Sequence, residues 1–280
     1  MILRLIGLGT GAVLLASTLG ACEPLQQDPQ CVVARAVSDG STGSFATSYM
    51  LAPGEDATAS CAKLKPEAVG LQKYFLQNPN ATDRDPNVKD RVGIRSQPWW
   101  LAAPAVVLPA DKPYVVDPDA PVERHAVGDL TTDAPGPDNY CEVPRFDNET
   151  RLELRAKASG APGLSLTYAW SNVRIYNTPE IPGTLFVADL TYTENGCQAD
   201  YKVKGIWPVV SCWKEVEVDT DANGDGKKDK VRVPDEPKCD PNPDPSVGRL
   251  RGSGINPSFD VKCDPDALIC VLKDPSAAFP

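Results

Sequence analysis

Residues 219–229 hold a run of hard oxygen ligands. Asp219, Asp221, Asn223, Asp225 and Asp229 sit in a row whose register from Asp221 is D-x-[DN]-x-D-G-x-x-D, with Gly226 inside it. A Ca²⁺ ion takes about six to eight oxygens, and alternate carboxylates on a tight loop supply them. Gly226 serves the sharp turn, and the backbone carbonyl of Lys227 adds a further oxygen. The expected role is structural, with affinity in the weak range of extracellular modules. The same residue types also build a metal-free acidic hairpin turn.

The flanks say what positions this loop. Lys214–Val218 and Lys230–Val233 alternate polar and apolar residues as strands do. An EF-hand would carry helices there and a bidentate Glu where this chain has Arg232. The segment instead resembles the strand–loop–strand calcium loops of exported bacterial proteins, with Asp219 replacing the missing carboxylate.

Other chemistry is sparse. Trp99 and Trp100 are adjacent. They read either as a stacking platform for sugar or peptide or as core packing, because one of two neighbouring strand residues faces outward. The chain has one His, His125, in a polar loop, and no G-x-S-x-G. A Ser-His-Asp triad would have to use His125, and zinc chemistry lacks ligands. A pair of carboxylates acting on a glycan has no fixed spacing and stays open.

The N-terminus reads MILRLIGLGTGAVLLASTLGAC. Arg4, an apolar run from Leu5 to Leu15 and small residues up to Ala21 make a secretory signal, too short and glycine-rich for a good membrane span. The closing Leu19-Gly20-Ala21-Cys22 resembles the lipobox of bacterial lipoprotein precursors. That resemblance covers the first 22 residues. It implies cleavage before Cys22, a diacylglycerol thioether on its sulfur and N-acylation with a palmitate-type chain. Two or three acyl chains suffice for stable anchoring. Glu23, rather than Asp, after the lipidated Cys leans towards the outer membrane in such proteins. The membrane is thus one expected partner.

Charge and cysteines narrow the class. Losing residues 1–21, with Arg4 their one charge, takes the net charge from −10 to −11 over 259 residues. An acidic surface argues against nucleic acid or anionic lipid as partner. Of nine cysteines, Cys22 is reserved for lipid. Cys31, Cys61, Cys141, Cys197, Cys212, Cys239, Cys263 and Cys270 remain, an even number that suits disulfides in an oxidising compartment. Sequence proximity favours Cys197–Cys212 and Cys263–Cys270, with Cys31–Cys61 and Cys212–Cys239 as further options. A cysteine metal site is the poorer reading, because no CxxC occurs.

The expected fold is mainly β: an antiparallel sandwich or barrel-like meander with long Pro-rich loops and up to four disulfides. Strands are expected from Cys31, near Tyr49, over Arg91–Ser96, and through 149–218, where Asn195-Gly196 between two alternating runs signals a hairpin. Residues 56–76 are ambiguous, with 67–69 and 71–76 open to a helix that Pro66 and Gly70 punctuate, and 111–144 reads as mostly loop. The expected organisation is a signal peptide over 1–21, a lipidated tether over 22–30, a β-rich domain over 31–211, the strand–loop–strand over 212–239, and a disulfide-tied tail over 240–280. The function this implies is a lipid-anchored envelope protein with a structural or accessory role, no catalysis, and another envelope protein or a glycan as partner. Alternatives are a carbohydrate- or peptide-binding surface lipoprotein and a glycan-acting hydrolase.

Overall fold

The computed structural model describes residues 30–34, 43–77, 82–83, 85, 87–97, 114–120, 123, 125–157, 160, 162–220 and 228–278. Ten strands form one antiparallel sheet: β1 (Gly43–Leu51), β2 (Glu67–Tyr74), β3 (Arg91–Gln97), β4 (Tyr114–Val116), β5 (Ala126–Asp129), β6 (Tyr140–Arg145), β7 (Thr150–Ala156), β8 (Leu164–Asn177), β9 (Pro182–Glu194) and β10 (Cys197–Ile206). The order is β4-β7-β8-β9-β10-β1-β2-β3-β5, with β6 also on β8. Fold class is thus as the alternating runs predict.

The curl has local causes. The β8–β9 register slips between Ser171 and Arg174, where Asn172 takes φ 49°. Such an irregularity bends a strand. Before it β8 pairs with β7 (Thr150 opposite Tyr168), and from Ser171 onward with β6 (Val143 opposite Val173). The far edge then returns to β6. Thr131 N–H donates to Glu142 O and Asp147 N–H to Val127 O, each at 2.9 Å. Gly128 permits this approach, since a Cβ there would stand 2.4 Å from Arg145 O.

Inside the curl lies one apolar core that includes Phe45, Val69, Leu71, Ile94, Leu166, Tyr168, Trp170 and Phe186. The Asn195-Gly196 turn falls where expected, with both residues at positive φ (48° and 85°), as a two-residue hairpin of this hand requires.

Several expectations are corrected. Residues 31–34 are not a strand: Cys31, Val32 and Ala34 donate their N–H groups to Asp133 O, Asn177 Oδ1 and Gly183 O, so no single neighbour offers a ladder. The ambiguous stretch resolves at residues 67–74 as strand. Their buried row is Glu67, Val69, Leu71 and Lys73, and the charges at both ends hide its period. Segment 111–144 holds three short strands, β4, β5 and β6, that Asp and Pro residues mask.

After β10 the chain leaves the barrel-like sheet. β11 (Trp213–Val218) pairs with β12 (Asp229–Pro234), so it does not extend the meander. A short 3-10 turn, η1 (Ser60–Ala62), precedes β2; two more, η2 (Glu236–Cys239) and η3 (Pro245–Val247), precede the hairpin β13 (Val261–Cys263) and β14 (Cys270–Leu272). This C-terminal module packs on the barrel. Ile255, Phe259, Ile269, Val271 and Leu272 share a core with Ala46, Tyr176, Ile181, Leu185 and Ile206.

Candidate functional site

The cysteines organise the molecule. Cys31 bonds Cys141 and Cys61 bonds Cys197 within the barrel, while Cys212 bonds Cys263 and Cys239 bonds Cys270 within the module. Cα separations run from 5.4 to 5.7 Å, the ordinary range for a disulfide. All four sequence-proximity pairings are therefore corrected. Cys263 and Cys270 do face each other across the β13–β14 hairpin, yet each bonds outward. The sulfurs of Cys212, Cys239 and Cys263 lie within 4.8 Å of one another, so the two module disulfides are stacked neighbours.

The calcium-type loop is flanked as predicted by a strand hairpin, with Val218 opposite Asp229. Asp221, Asn223, Asp225 and Lys227 lie outside the described residues. At the base, Asp229 is buried and accepts from Thr220 Oγ1 at 2.9 Å, while its N–H bonds Thr220 O at 2.8 Å. Asp219 pairs with Lys228 at 2.5 Å. Arg232, the residue that breaks the EF-hand pattern, stacks 4.0 Å from the Trp213 ring and faces Glu215 at 3.8 Å. Its task is to brace the hairpin. Trp99, Trp100 and the lipobox with Cys22 also lie outside the described residues.

Two groupings were invisible in the sequence. The first is a tyrosine–carboxylate cluster in the barrel. Tyr49 Oη donates to the buried Glu67 carboxylate at 2.6 Å, and Tyr168 bonds the same group. Tyr192 Oη donates to Glu194 at 2.9 Å and packs 5.1 Å from the Tyr168 ring. Burial first, and then the Glu67 charge, holds the Tyr49 and Tyr168 hydroxyls well above their ordinary pKa. A phenol recruited as base or nucleophile needs the opposite shift. These tyrosines act as locked donors to a buried acid.

The second is an open cavity of about 540 Å³ in the module, lined by Glu236, Asp240, Asp244, Arg249, Phe259 and Asp260. Each carboxylate already has a partner in the chain. Asp240 meets Arg249 at 2.9 Å, Asp260 meets Lys273 at 2.9 Å, Glu236 accepts the Cys263 N–H at 2.8 Å, and Asp244 accepts Ser246 Oγ at 2.5 Å. The Ser246 hydroxyl pulls the Asp244 carboxyl below its usual range. A glycosidase acid needs a raised one, so this cavity offers no support for the hydrolase reading.

Against known proteins, residues 43–208 match the family model described as MlpA. That span is more than half of the chain and runs from the first residue of β1 to just beyond β10. A Myxococcus xanthus protein with the name "Putative lipoprotein MlpA" is 25% identical over 253 residues, 89% of this chain and 85% of that one. No solved structure matches. The matched span takes in all ten strands β1 to β10, and the chain belongs to the MlpA family.

Proposed function

We propose that this protein is a lipid-anchored component of the bacterial envelope, held in the outer membrane by acyl chains on Cys22, with a structural or accessory binding role and no catalysis. One observation carries the reading. The eight cysteines after Cys22 pair completely among themselves, which leaves the lipobox cysteine as the ninth. A chain that folds through four disulfides belongs in an oxidising compartment, and a cysteine outside that set suits modification. The name of the M. xanthus relative supports the lipoprotein part. Among the described residues, the buried ionisable groups serve structural bonds, which supports the non-enzymatic part.

The test is metabolic labelling with a clickable fatty acid, followed by membrane fractionation. Label should enter the wild-type protein and not the Cys22→Ser protein, and the labelled chain should sediment with the outer membrane. Unlabelled wild-type protein in the soluble fraction would overturn the anchor. Crosslinking in intact cells with mass spectrometry then names the partner, an envelope protein or a glycan on this reading.

A structural calcium ion in loop 219–229 belongs to the same proposal. It is supported by the strand hairpin that carries the loop and by the buried Asp229 at its base.

A further inference from the structure

Three consecutive residues at the end of β2 expose large apolar side chains: Tyr74 (39%), Phe75 (45%) and Leu76 (55%). Exposed clusters of this kind usually mark an interaction surface. This one is held in place. The Tyr74 ring lies across Gly93, where a Cβ would come 2.8 Å from its Cε2. The Leu76 N–H is bonded to the buried Asp90 carboxylate at 3.3 Å. Beyond it, Gln77 makes three hydrogen bonds with the backbone of Asp85 and Val88.

The position of this ledge identifies its occupant. The Lys73 ammonium, paired with Asp90 at 3.0 Å, stands 4.7 Å from the Phe75 ring centre and donates to Cys31 O at 2.9 Å. Cys31 lies at the N-terminal end of the described residues, and Val32 beside it is also 39% exposed. Nine peptide steps separate Cys31 from Cys22, a reach of at most about 30 Å. A lipid on Cys22 is therefore tethered within that reach of Cys31, which Lys73 joins to the ledge. Tethering turns a second contact into an intramolecular one, so a patch too small to bind lipid alone is engaged. Aromatic residues with a neighbouring aliphatic are the side chains that settle at the membrane–water boundary. Arg91, opposite Tyr74 on β3, pairs with Asp129 and Asp147.

We infer that Tyr74, Phe75 and Leu76 seat the barrel on the bilayer surface, with that mouth of the barrel facing the lipid. The inference rests on the anchor reading above. It adds a second, non-covalent membrane contact that sets the orientation of the molecule.

The experiment uses the full acylated chain carrying Phe75→Trp, reconstituted in phosphatidylethanolamine–phosphatidylcholine vesicles with ordinary or brominated acyl chains. Gln198→Trp, exposed by the turn at the opposite end of the barrel, is the control. Relative to the parent protein, the added emission at 75 should be lost in brominated vesicles, and that at 198 should not. Adding Tyr74→Ser and Leu76→Ser to the reporter should restore it. The mass of the N-terminal peptide reports acylation separately. Acylated protein whose emission at 75 ignores bromine overturns the seating and leaves the anchor standing. A blue shift at 75 without bromine quenching means that protein, such as a second copy, covers the ledge, and also overturns it. A peptide without acyl chains overturns both.

Discussion

The barrel and the C-terminal module share one disulfide pattern. In each, four consecutive cysteines pair first with third and second with fourth, and no disulfide crosses from one region to the other. Their reserves differ. The barrel has long strands and a core of bulky side chains such as Phe45, Trp170 and Phe186. The module has one hairpin of six-residue strands, β11–β12, one of three-residue strands, β13–β14, short 3-10 turns, and a core in which Cys212, Cys239, Cys263 and Cys270 are themselves major members. On the chain-entropy rule the barrel's loops, of 110 and 136 residues, are worth about 5 kcal/mol each, and the module's, of 51 and 31, about 4 kcal/mol each. Loop entropy thus does not separate the regions. What remains when the crosslinks go does.

The largest expected effect follows from this. Replacing Cys212, Cys239, Cys263 and Cys270 by Ser should abolish hydrogen-exchange protection across residues 235–278 and leave the barrel's near-ultraviolet signal. Replacing Cys31 and Cys141 should lower the melting temperature of the barrel without unfolding it at 25 °C. Simultaneous loss of both regions in the first variant would erase the distinction.

A barrel-specific break comes next. Asp90→Ala leaves the buried Lys73 ammonium without its counter-charge (side chains 6% and 2% exposed). Breaking such a pair costs about 3–5 kcal/mol, whereas replacing both partners by apolar residues is often neutral. Urea unfolding should therefore show Lys73→Met with Asp90→Leu far more stable than Asp90→Ala; equal stability would refute the pairing argument.

Alkali should sharpen the contrast. Tyr49 and Tyr168 have folded-state pKa values above the ordinary 10, so the folded barrel holds protons that the unfolded chain releases. Their stabilisation is complete below pH 10 and is lost as pH rises from there through the folded values. The module, which has no tyrosine after Tyr201, lacks this liability. Circular dichroism with hydrogen exchange above pH 10 should show the barrel loosening first. The Glu67→Gln barrel should begin to loosen at higher pH, because tyrosinate no longer meets a carboxylate. An onset unchanged by Glu67→Gln would remove that carboxylate from the account.

The smallest expected effect concerns the β11–β12 hairpin. If loop 219–229 binds calcium, a tenfold excess over the dissociation constant stabilises by about 1.4 kcal/mol. A melt in millimolar calcium should shift upward for wild type and not for Asp229→Asn. No shift in wild type returns the loop to a plain acidic turn.

How much could be read in advance depended on where each signal resides. β8, β9 and β10 advertise themselves because burial alternates along them, and Asn195-Gly196 marks their turn. β2 was ambiguous because Glu67 and Lys73 occupy buried positions that the pattern assigns to apolar residues. β4, β5 and β6 hide in a Pro- and Asp-rich stretch because short strands carry too few residues to show a period. The calcium-type motif was readable as spacing. The tyrosine–Glu67 cluster and the module cavity were not, since their members come from strands far apart in sequence.

By itself the sequence determined the β class, the disulfide chemistry implied by an even set of eight cysteines, and the local turns. These follow from side-chain types over a few residues, where chain geometry leaves little choice. Tertiary structure alone decided the partners. Cys31 reaches Cys141 rather than Cys61, and Cys263 turns away from Cys270, because a disulfide needs Cα atoms about 5–6 Å apart with matching Cβ directions. The curl of the sheet sets those distances, just as it brings Lys73, Asp90, Phe75 and Cys31 to one mouth of the barrel.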